Sequence, residues 1–152
     1  MALVGVIIGS KSDKPLIQPA LDILKQLGVE YEFSIMSAHR NPDKVREYGL
    51  NAKEKGLEVI IAAAGAAAHL PGVIAAWTTL PVIGVPLPTS EMKGLDSLYS
   101  IVQMPSGVPV ACVGIGTSGS ENAALMASQI LSLKHKEISN AFNQYKKDLA
   151  QK

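Results

Sequence analysis

Leu3-Val4-Gly5-Val6-Ile7-Ile8, followed by the polar loop Gly9-Ser10-Lys11-Ser12-Asp13, is the stretch that decides the fold. The run is continuously apolar rather than alternating, which is typical of a strand buried on both faces of a parallel sheet. Further apolar runs of strand length recur, and the segments between them are long enough for crossover helices. These runs are residues 29–36, 58–63, 81–85 and 108–114. The pattern predicts a three-layer, doubly wound, flavodoxin-like α/β fold with a C-terminal helix.

The segment after the first run predicts a helix that begins near Asp13 and ends at Gly28. Glycine is common just past a helix C-terminus because it adopts the left-handed conformation without steric cost. Pro19 lies inside this segment and lacks a backbone donor, so we expect a kink or a start delayed toward residue 17. The expected apolar face is Leu16, Ala20, Ile23, Leu24 and Leu27.

A second predicted helix has a clear N-terminal pattern, with Asn41 as the cap and Pro42 in the first position. We expect this helix to end at Gly56. Its apolar stripe is Val45, Tyr48 and Ala52. The charged residues between these positions are expected to face solvent.

Two later predicted helices, near residues 71–79 and 119–133, are apolar nearly all round. A helix without a polar face must be buried on more than one side. Because a chain of 152 residues has little interior for two such helices, we expect them to make subunit contacts in a homo-oligomer. The last predicted helix, about 135–150, carries one apolar stripe that could cover a neighbour. That stripe is Ile138, Ala141, Phe142, Tyr145 and Leu149.

The composition limits the classes of function. A length of 152 residues, a hydrophobic share of 47% and a net charge of +1 predict one domain over residues 1–152, with no basic surface for nucleic acid. The apolar N-terminal run is too short for a signal peptide or a membrane span. Cys112 is the single cysteine, so no internal disulfide can form, which agrees with a reducing, cytoplasmic compartment.

Three loops follow predicted strands, at residues 9–13, 37–41 and 64–70. In a doubly wound sheet, ligands bind outside the carboxyl ends of the strands where the strand order reverses. We therefore expect these loops to form one pocket. The third loop consists of small residues around Gly65, which lets backbone amides approach a ligand closely.

The side chains of the first two loops suit a phosphorylated ligand. The hydroxyls of Ser10, Ser12 and Ser37, the loop amides and a following helix N-terminus suit a phosphate. Arg40 binds such anions through parallel charge-assisted hydrogen bonds. His39 can both give and take a proton near neutral pH. Together they predict an enzyme that acts on a small phosphorylated molecule.

Some residues keep alternative interpretations. Asp13 either caps the first helix or accepts hydrogen bonds from sugar hydroxyls. His69 is either a second functional imidazole or a partner of backbone groups. His135 lies in a charged stretch and is expected to face solvent, whereas Cys112 is expected in the core of a central strand. No His, Cys and carboxylate residues have the spacing of metal ligands.

Four ordered motifs resemble the N5-carboxyaminoimidazole ribonucleotide mutase family, the catalytic-subunit type of the phosphoribosylaminoimidazole carboxylase step in purine biosynthesis. The motifs are Gly-Ser-Lys-Ser-Asp at 9–13, Ser-Ala-His-Arg-Asn-Pro-Asp at 37–43, Ala-His-Leu-Pro-Gly at 68–72 and Asp-Ser-Leu-Tyr-Ser-Ile-Val-Gln-Met-Pro at 96–105. The likeness covers nearly the whole chain.

The resemblance implies a flavodoxin-like subunit in a homo-octamer, which moves a carboxylate from the exocyclic nitrogen to C4 of an aminoimidazole ribonucleotide. It implies no cofactor, whether metal, ATP or biotin. It also implies His39 as the general acid/base, and the loop of Gly65 and His69 around the base and the migrating carbon dioxide. The implied substrate-binding positions are Ser10, Ser12, Asp13, Ser37 and Arg40.

The third loop departs from the family's pattern, because Ala63 and Ala66 stand where the family has glycine. We expect each added methyl to narrow the pocket or to restrict the backbone. The departure affects the expected pocket geometry and leaves the expected reaction unchanged.

Two other functions remain as alternatives. A related branch carboxylates aminoimidazole ribonucleotide directly with free carbon dioxide; it carries Lys after the His and lacks the Ala-His-Leu-Pro-Gly string, so Arg40 and residues 68–72 favour the mutase. A non-catalytic module on the same fold, binding flavin or a phosphosugar, is the alternative of a different class. Trp77 is the single tryptophan and is predicted in a buried helix, so a flavin ring would find few aromatic partners.

Overall fold

Five parallel strands form the central sheet of the computed structural model, which describes residues 1–152. The strands are β1 (Val4–Ile8), β2 (Tyr31–Ile35), β3 (Val59–Gly65), β4 (Val82–Leu87) and β5 (Ala111–Cys112). Their order across the sheet is β2-β1-β3-β4-β5, so the winding reverses between β1 and β3. This is the predicted flavodoxin-like order.

Helices cover both faces of the sheet. They are a single 3-10 turn at Lys11–Asp13, then α1 (Lys14–Gln26), α2 (Pro42–Asn51), α3 (Leu70–Trp77), α4 (Leu95–Val102), α5 (Gly116–Ser132) and α6 (Lys136–Leu149). Helices α1, α5 and α6 pack on one face, and α2, α3 and α4 pack on the other. None of the helices combines the length and the apolar character that a membrane crossing requires.

The first strand is buried on both faces, as its sequence predicts. Val6 and Ile8 pack into the core beneath α1 and α5, whereas Ile7 packs into the core beneath α2 and α3. All residues of β1 are buried. Ile8 is level with Ile35 of β2 and Ala63 of β3, which brings the loops after these strands to the same edge of the sheet.

Helix α1 begins at Lys14, directly after the 3-10 turn, so the expected delay toward residue 17 is wrong. Pro19 lies inside the helix and removes one backbone donor without preventing the helix from forming. The expected apolar face is confirmed at Ala20, Leu24 and Leu27, which are buried. The buried residues are Ile17, Ala20, Leu21 and Leu24. Leu16 and Ile23 are only partly buried at the margin of the core.

The C-terminal end of α1 confirms the role of Gly28. Its φ of 67° lies in the left-handed region. Its N–H donates to the Lys25 carbonyl at 3.1 Å, and the Val29 N–H donates to the Leu24 carbonyl at 2.9 Å. These two bonds close the helix because they satisfy carbonyls that have no partner within it.

Helix α2 starts at Pro42 as predicted, but it ends at Asn51 rather than at Gly56. The chain continues in turns up to Gly56, which has a φ of 90°. The Leu57 N–H closes these turns with a 3.1 Å bond to the Ala52 carbonyl. The predicted stripe of Val45, Tyr48 and Ala52 is buried.

The predicted fifth strand is present, but it is much shorter than the predicted range 108–114, since β5 has only the two residues Ala111 and Cys112. Pro109 has no backbone donor, and Gly114 turns the chain with a φ of 140°, so little of the segment can pair with β4. Strand β5 lies at the edge of the sheet. Cys112 is therefore partly exposed rather than in the core of a central strand.

His135 is not free in solvent, contrary to its predicted exposure. Its Nε2 lies 3.1 Å from both carboxylate oxygens of Glu58, and its side chain is only 20% exposed. Lys134 Nζ donates to Glu58 Oε1 at 2.6 Å. The hydrogen bond from Lys134 lowers the pKa of Glu58, and His135 adds to this effect, although partial burial opposes it.

Helix α5 finds its apolar neighbours within the chain. It packs against α1 and the sheet on one side and against α6 on the other. In α6, Ile138 is buried and Phe142 and Tyr145 are partly buried on the same core, so the stripe of this helix covers α5 of its own chain. In contrast, Trp77 of α3 remains 38% exposed. The subunit contact expected for α5 stays a prediction.

Candidate active site

The loops after β1, β2 and β3 converge on one cleft of about 500 Å³ at the carboxyl edge of the sheet. All the site residues predicted from the sequence line it: Ser10, Ser12, Asp13, Ser37, His39, Arg40, Gly65 and His69. The convergence follows from the reversal of strand order between β1 and β3, because the crossover connections leave this edge open there.

The first loop places two hydroxyls before a helix. Ser10 Oγ and Ser12 Oγ lie 3.0 Å apart. Ser10 precedes the 3-10 turn, and its hydroxyl accepts a long hydrogen bond of 3.4 Å from the Ser12 N–H. Helix α1 follows directly, so the positive end of its dipole points toward this side of the cleft. The arrangement suits an anion.

Asp13 stands at the cap position of α1, but its carboxylate makes no capping hydrogen bond. The capping interpretation is therefore wrong. The residue is 7% exposed and lines the cleft. Burial raises the pKa of its carboxyl above the ordinary value of 3.8, and a backbone hydrogen bond at Ser10 and the charge of Arg40 oppose this shift only in part.

Arg40 ties the second loop to the first. Its Nη2 donates to the Gly9 carbonyl at 2.9 Å. Its backbone N–H donates to Ser37 Oγ at 3.2 Å. The Ser37 N–H in turn donates to Asn41 Oδ1 at 3.3 Å, so Asn41 orders the loop and makes no side-chain cap of α2. The guanidinium is thus held beside the serine hydroxyls of the first loop.

The two histidines of the cleft contact each other. His39 Nε2 and His69 Nδ1 are 2.7 Å apart, and the ring planes are nearly perpendicular at 86°. His69 precedes α3 and bonds His39 rather than a backbone group. Of its two interpretations, the structure therefore supports a place among the side chains of the site.

The two alanines of the third loop differ in their surroundings. Ala63 is fully buried in β3 and does not line the cleft. Ala66 lines the cleft and has a φ of 51°, in the left-handed region that disfavours a side chain by roughly 1–2 kcal/mol. The expected restriction of the backbone therefore applies to Ala66.

Thr89, in the loop after β4, is a cleft residue that the sequence did not single out. It touches the third loop so closely that a Cβ at Gly65 would overlap the Thr89 Oγ1. The only feature of the sequence that could have indicated Thr89 is its position just after a strand. A single threonine forms no motif with other residues. No three His, Cys, Asp or Glu side chains of the protein are grouped so that they could hold a metal ion.

The family model described as AIR carboxylase matches residues 3–152 of the chain. The chain belongs to the AIR carboxylase family. Among curated relatives, the N5-carboxyaminoimidazole ribonucleotide mutase of Thermotoga maritima is 55% identical and covers 96% of this chain and 84% of its own length. The mutase of Saccharolobus solfataricus is 52% identical, with 98% of this chain and 93% of that protein covered.

The N5-carboxyaminoimidazole ribonucleotide mutase of Pseudomonas aeruginosa has a similar level of sequence identity to this chain. It is 54% identical over 95% of this chain and 89% of its own length. Among solved structures, a crystal structure of Treponema denticola PurE superimposes with a TM-score of 0.86 at 32% identity. That alignment covers 99% of this chain and 93% of the other, so the fold is shared over its full extent.

Proposed function

We propose that this chain is an isomerase of purine biosynthesis, which converts N5-carboxyaminoimidazole ribonucleotide to 4-carboxy-5-aminoimidazole ribonucleotide. The observation that carries the proposal is a His-Arg pair beside a serine loop, in a chain that is 52–55% identical to relatives named as this mutase. The substrate is a small nucleotide. We also propose that residues 1–152 form one catalytic domain.

The substrate's phosphate is proposed to bind between the first two loops. Ser10, Ser12 and the N-terminus of α1 supply donors on one side, and the guanidinium of Arg40 lies on the other. Ser37 supports this position because its hydroxyl holds the Arg40 backbone. Asp13, buried in the same wall, is placed to accept hydrogen bonds from ribose hydroxyls.

With the sugar phosphate bound there, the imidazole of His39 faces the heterocycle. Protonated His39 gives its proton to the exocyclic nitrogen as the bond from that nitrogen to the carboxyl carbon breaks and carbon dioxide leaves. The free amine makes C4 nucleophilic, and C4 forms a bond to the carbon dioxide. Neutral His39 then removes the C4 proton, which restores the aromatic ring and the starting state of the enzyme.

The released carbon dioxide must stay near C4 for the second half of the reaction. The small residues around Gly65, including Ala66 and Ala67, are proposed to hold it in a tight apolar niche next to His69. Proximity then replaces diffusion from solvent, and the walls prevent escape. The reaction needs no cofactor in this proposal, because breaking the N–C bond and forming the C4–C bond require only that one proton is given to the exocyclic nitrogen and one is removed from C4.

The deciding experiment supplies the purified protein with either of two substrates. One is N5-carboxyaminoimidazole ribonucleotide, and the other is aminoimidazole ribonucleotide with dilute bicarbonate. We expect fast turnover of the first alone. Fast turnover of the second would instead identify a direct carboxylase and overturn the proposal.

The proposed assembly is a homo-oligomer with eight subunits, in the cytoplasm. Support for an oligomer comes from α4, where Leu95, Tyr99 and Val102 form an exposed apolar stripe with helical spacing. The single cysteine agrees with a reducing compartment.

A further inference from the structure

The hydrogen bond between the two histidines holds one proton. At 2.7 Å, His39 Nε2 and His69 Nδ1 cannot both carry hydrogen and cannot both present a lone pair, because either arrangement is repulsive. One ring therefore donates and the other accepts. The remaining ring nitrogens, His39 Nδ1 and His69 Nε2, make no hydrogen bond within the protein.

The surroundings of the two rings indicate which one donates. His69 is the residue directly before α3, and the unpaired N–H groups at a helix N-terminus disfavour positive charge on that ring. The other charged groups of the cleft are Asp13 after β1 and Arg40 after β2, while the loop after β4 contributes only the uncharged Thr89. The helix terminus thus favours His69 as the acceptor of the 2.7 Å hydrogen bond and His39 as its donor.

We propose that His69 is a positioning residue, whose Nδ1 accepts the Nε2–H of His39 and so fixes the orientation and tautomer of that ring. Nδ1 of His39 is then the nitrogen that exchanges a proton with the substrate. This second statement rests on the proposed function, whereas the hydrogen bond between the rings does not.

The consequence for the reaction is that one nitrogen serves both halves. His39 Nδ1–H gives its proton to the exocyclic nitrogen while the bond from that nitrogen to carbon breaks, and the bare Nδ1 later takes the proton from C4. The Nε2–H stays on His39 and points at His69 throughout. The ring therefore need not rotate between the two steps.

The first test reads the hydrogen bond in the substrate-free protein. Ring ¹⁵N spectra are recorded for the wild type, His69→Asn and His69→Leu, with His135 as an internal reference far from the cleft. We expect neutral His39 of the wild type to carry its proton on Nε2, with a ¹⁵N–¹⁵N coupling to His69 across the bond. His69→Leu should mix the two tautomers, and His69→Asn should restore the single tautomer because its amide oxygen accepts the same proton.

Unchanged His39 spectra in His69→Leu, or a proton on Nδ1 in the wild type, would overturn the assignment. Thermal unfolding checks that each variant is folded, and His69→Ala replaces the leucine variant if that one is not. The second test measures turnover of N5-carboxyaminoimidazole ribonucleotide. We expect kcat to fall roughly 10- to 100-fold in His69→Leu with little change in KM, and to recover largely in His69→Asn.

A loss in His69→Asn as deep as that in His39→Asn would show that His69 itself touches the reacting atoms, which contradicts a positioning role. If the spectra show the expected tautomers but neither the wild type nor any variant turns over the substrate, the hydrogen bond between the histidines is supported and the proposed function is wrong. The two claims are thus tested separately.

Discussion

At the scale of the residue, the proposed acid/base work of the site depends on a single imidazole, that of His39. His39 lies at the end of β2, close enough to His69 for a 2.7 Å contact and beside Arg40, which is anchored on Gly9. A protonated ring in that place can serve both proton transfers of the proposed isomerisation. In the proposed function, the other residues of the cleft bind or orient the substrate.

His39→Asn should therefore retain binding of the nucleotide and lose turnover. We expect kcat to fall roughly 10²–10⁴-fold, which is the typical contribution of a positioned general acid/base. Steady-state kinetics and direct titration of nucleotide binding give the two quantities. His135→Asn is the matched control, since that histidine pairs with Glu58 away from the cleft. Near-normal kcat in His39→Asn would remove His39 from this role.

Arg40→Ala should mainly weaken binding. The variant loses the proposed charged donor to the substrate phosphate and also the hydrogen bond to the Gly9 carbonyl that joins the first two loops. We expect a loss of about 1.5–3 kcal/mol in binding free energy, or roughly 10- to 150-fold in Kd, with a smaller effect on kcat. Calorimetry with the nucleotide measures it. Arg46→Ala is the control, because Arg46 lies over the Trp77 ring outside the cleft and should leave Kd unchanged.

Asp13 links the site to the stability of the fold. Burial raises the pKa of its carboxyl in the folded state, so the folded protein binds this proton more tightly than the unfolded chain does. The contribution of Asp13 to the free energy of unfolding is therefore fully present below the ordinary pKa of 3.8. It is lost as the pH rises through the higher pKa that the carboxyl has in the folded protein. An ionised, buried Asp13 destabilises the protein at neutral pH.

Asp13→Asn should accordingly raise the free energy of unfolding at pH 7 while weakening nucleotide binding. Urea titrations at pH 7 and at pH 3 test this expectation, because the difference between variant and wild type should shrink at the lower pH. An equal difference at both pH values would mean that the Asp13 charge is not the cause.

At the scale of the element, the lack of a side chain at Gly5 of β1 leaves space for Tyr48 of α2. Gly5 lies in the middle of this buried strand, and a Cβ there would overlap Tyr48 Oη of α2 and come within 3.0 Å of Leu57 Cδ1. The Tyr48 hydroxyl is buried without a hydrogen-bond partner. Burial, and to a lesser degree the Glu32 carboxylate, raises the pKa of that hydroxyl.

Gly5→Ala should destabilise the protein by about 1–3 kcal/mol through overpacking. Tyr48→Phe removes the atom in the way, so the double variant should recover part of that loss. Chemical unfolding of the four proteins in a double-mutant cycle measures the interaction. Additive effects of the two substitutions on the free energy of unfolding would show that the Tyr48 hydroxyl is not the group that the methyl added by Gly5→Ala would overlap.

Structural features that depend on residues close together in the sequence could be predicted from the sequence. The buried run of β1 and the glycine that ends α1 depend on neighbouring residues only, and both predictions are confirmed. The predicted length of β5 was wrong, because Pro109 limits pairing with a distant strand. The predicted face of α1 is confirmed at Ala20, Leu24 and Leu27, whereas Leu16 and Ile23 lie at the margin of the core, since the orientation of a helix is set by what it packs on.

The features of the site also divide into those that could be predicted from the sequence and those that could not. Topology alone predicts that loops after neighbouring parallel strands meet, so the residues of the cleft could be named in advance. The pairing of His39 with His69 spans 30 positions and depends on side-chain orientation, which no spacing in the sequence encodes. Thr89 lines the cleft from the loop after β4, but a single threonine beyond a strand has no motif that distinguishes it in the sequence.

At the scale of the whole molecule, the fold leaves an apolar stripe of α4 uncovered. Leu95, Tyr99 and Val102 of α4 are 44%, 58% and 47% exposed and lie at positions i, i+4 and i+7. Residues with this spacing share one side of a helix. Helices α5 and α6 cover each other within the chain, so α4 is the stronger candidate for contact between subunits.

Tyr99→Glu should therefore break the proposed oligomer, because a charge buried at an apolar contact lacks a partner. Sedimentation velocity should show smaller species for this variant than for the wild type at the same concentration. Leu133→Glu is the matched control: Leu133 is 89% exposed and lies after α5, outside the α4 stripe, so its variant should sediment like the wild type. If Tyr99→Glu also sediments like the wild type, the stripe does not hold the subunits together, and the partly exposed Trp77 of α3 becomes the next surface to test.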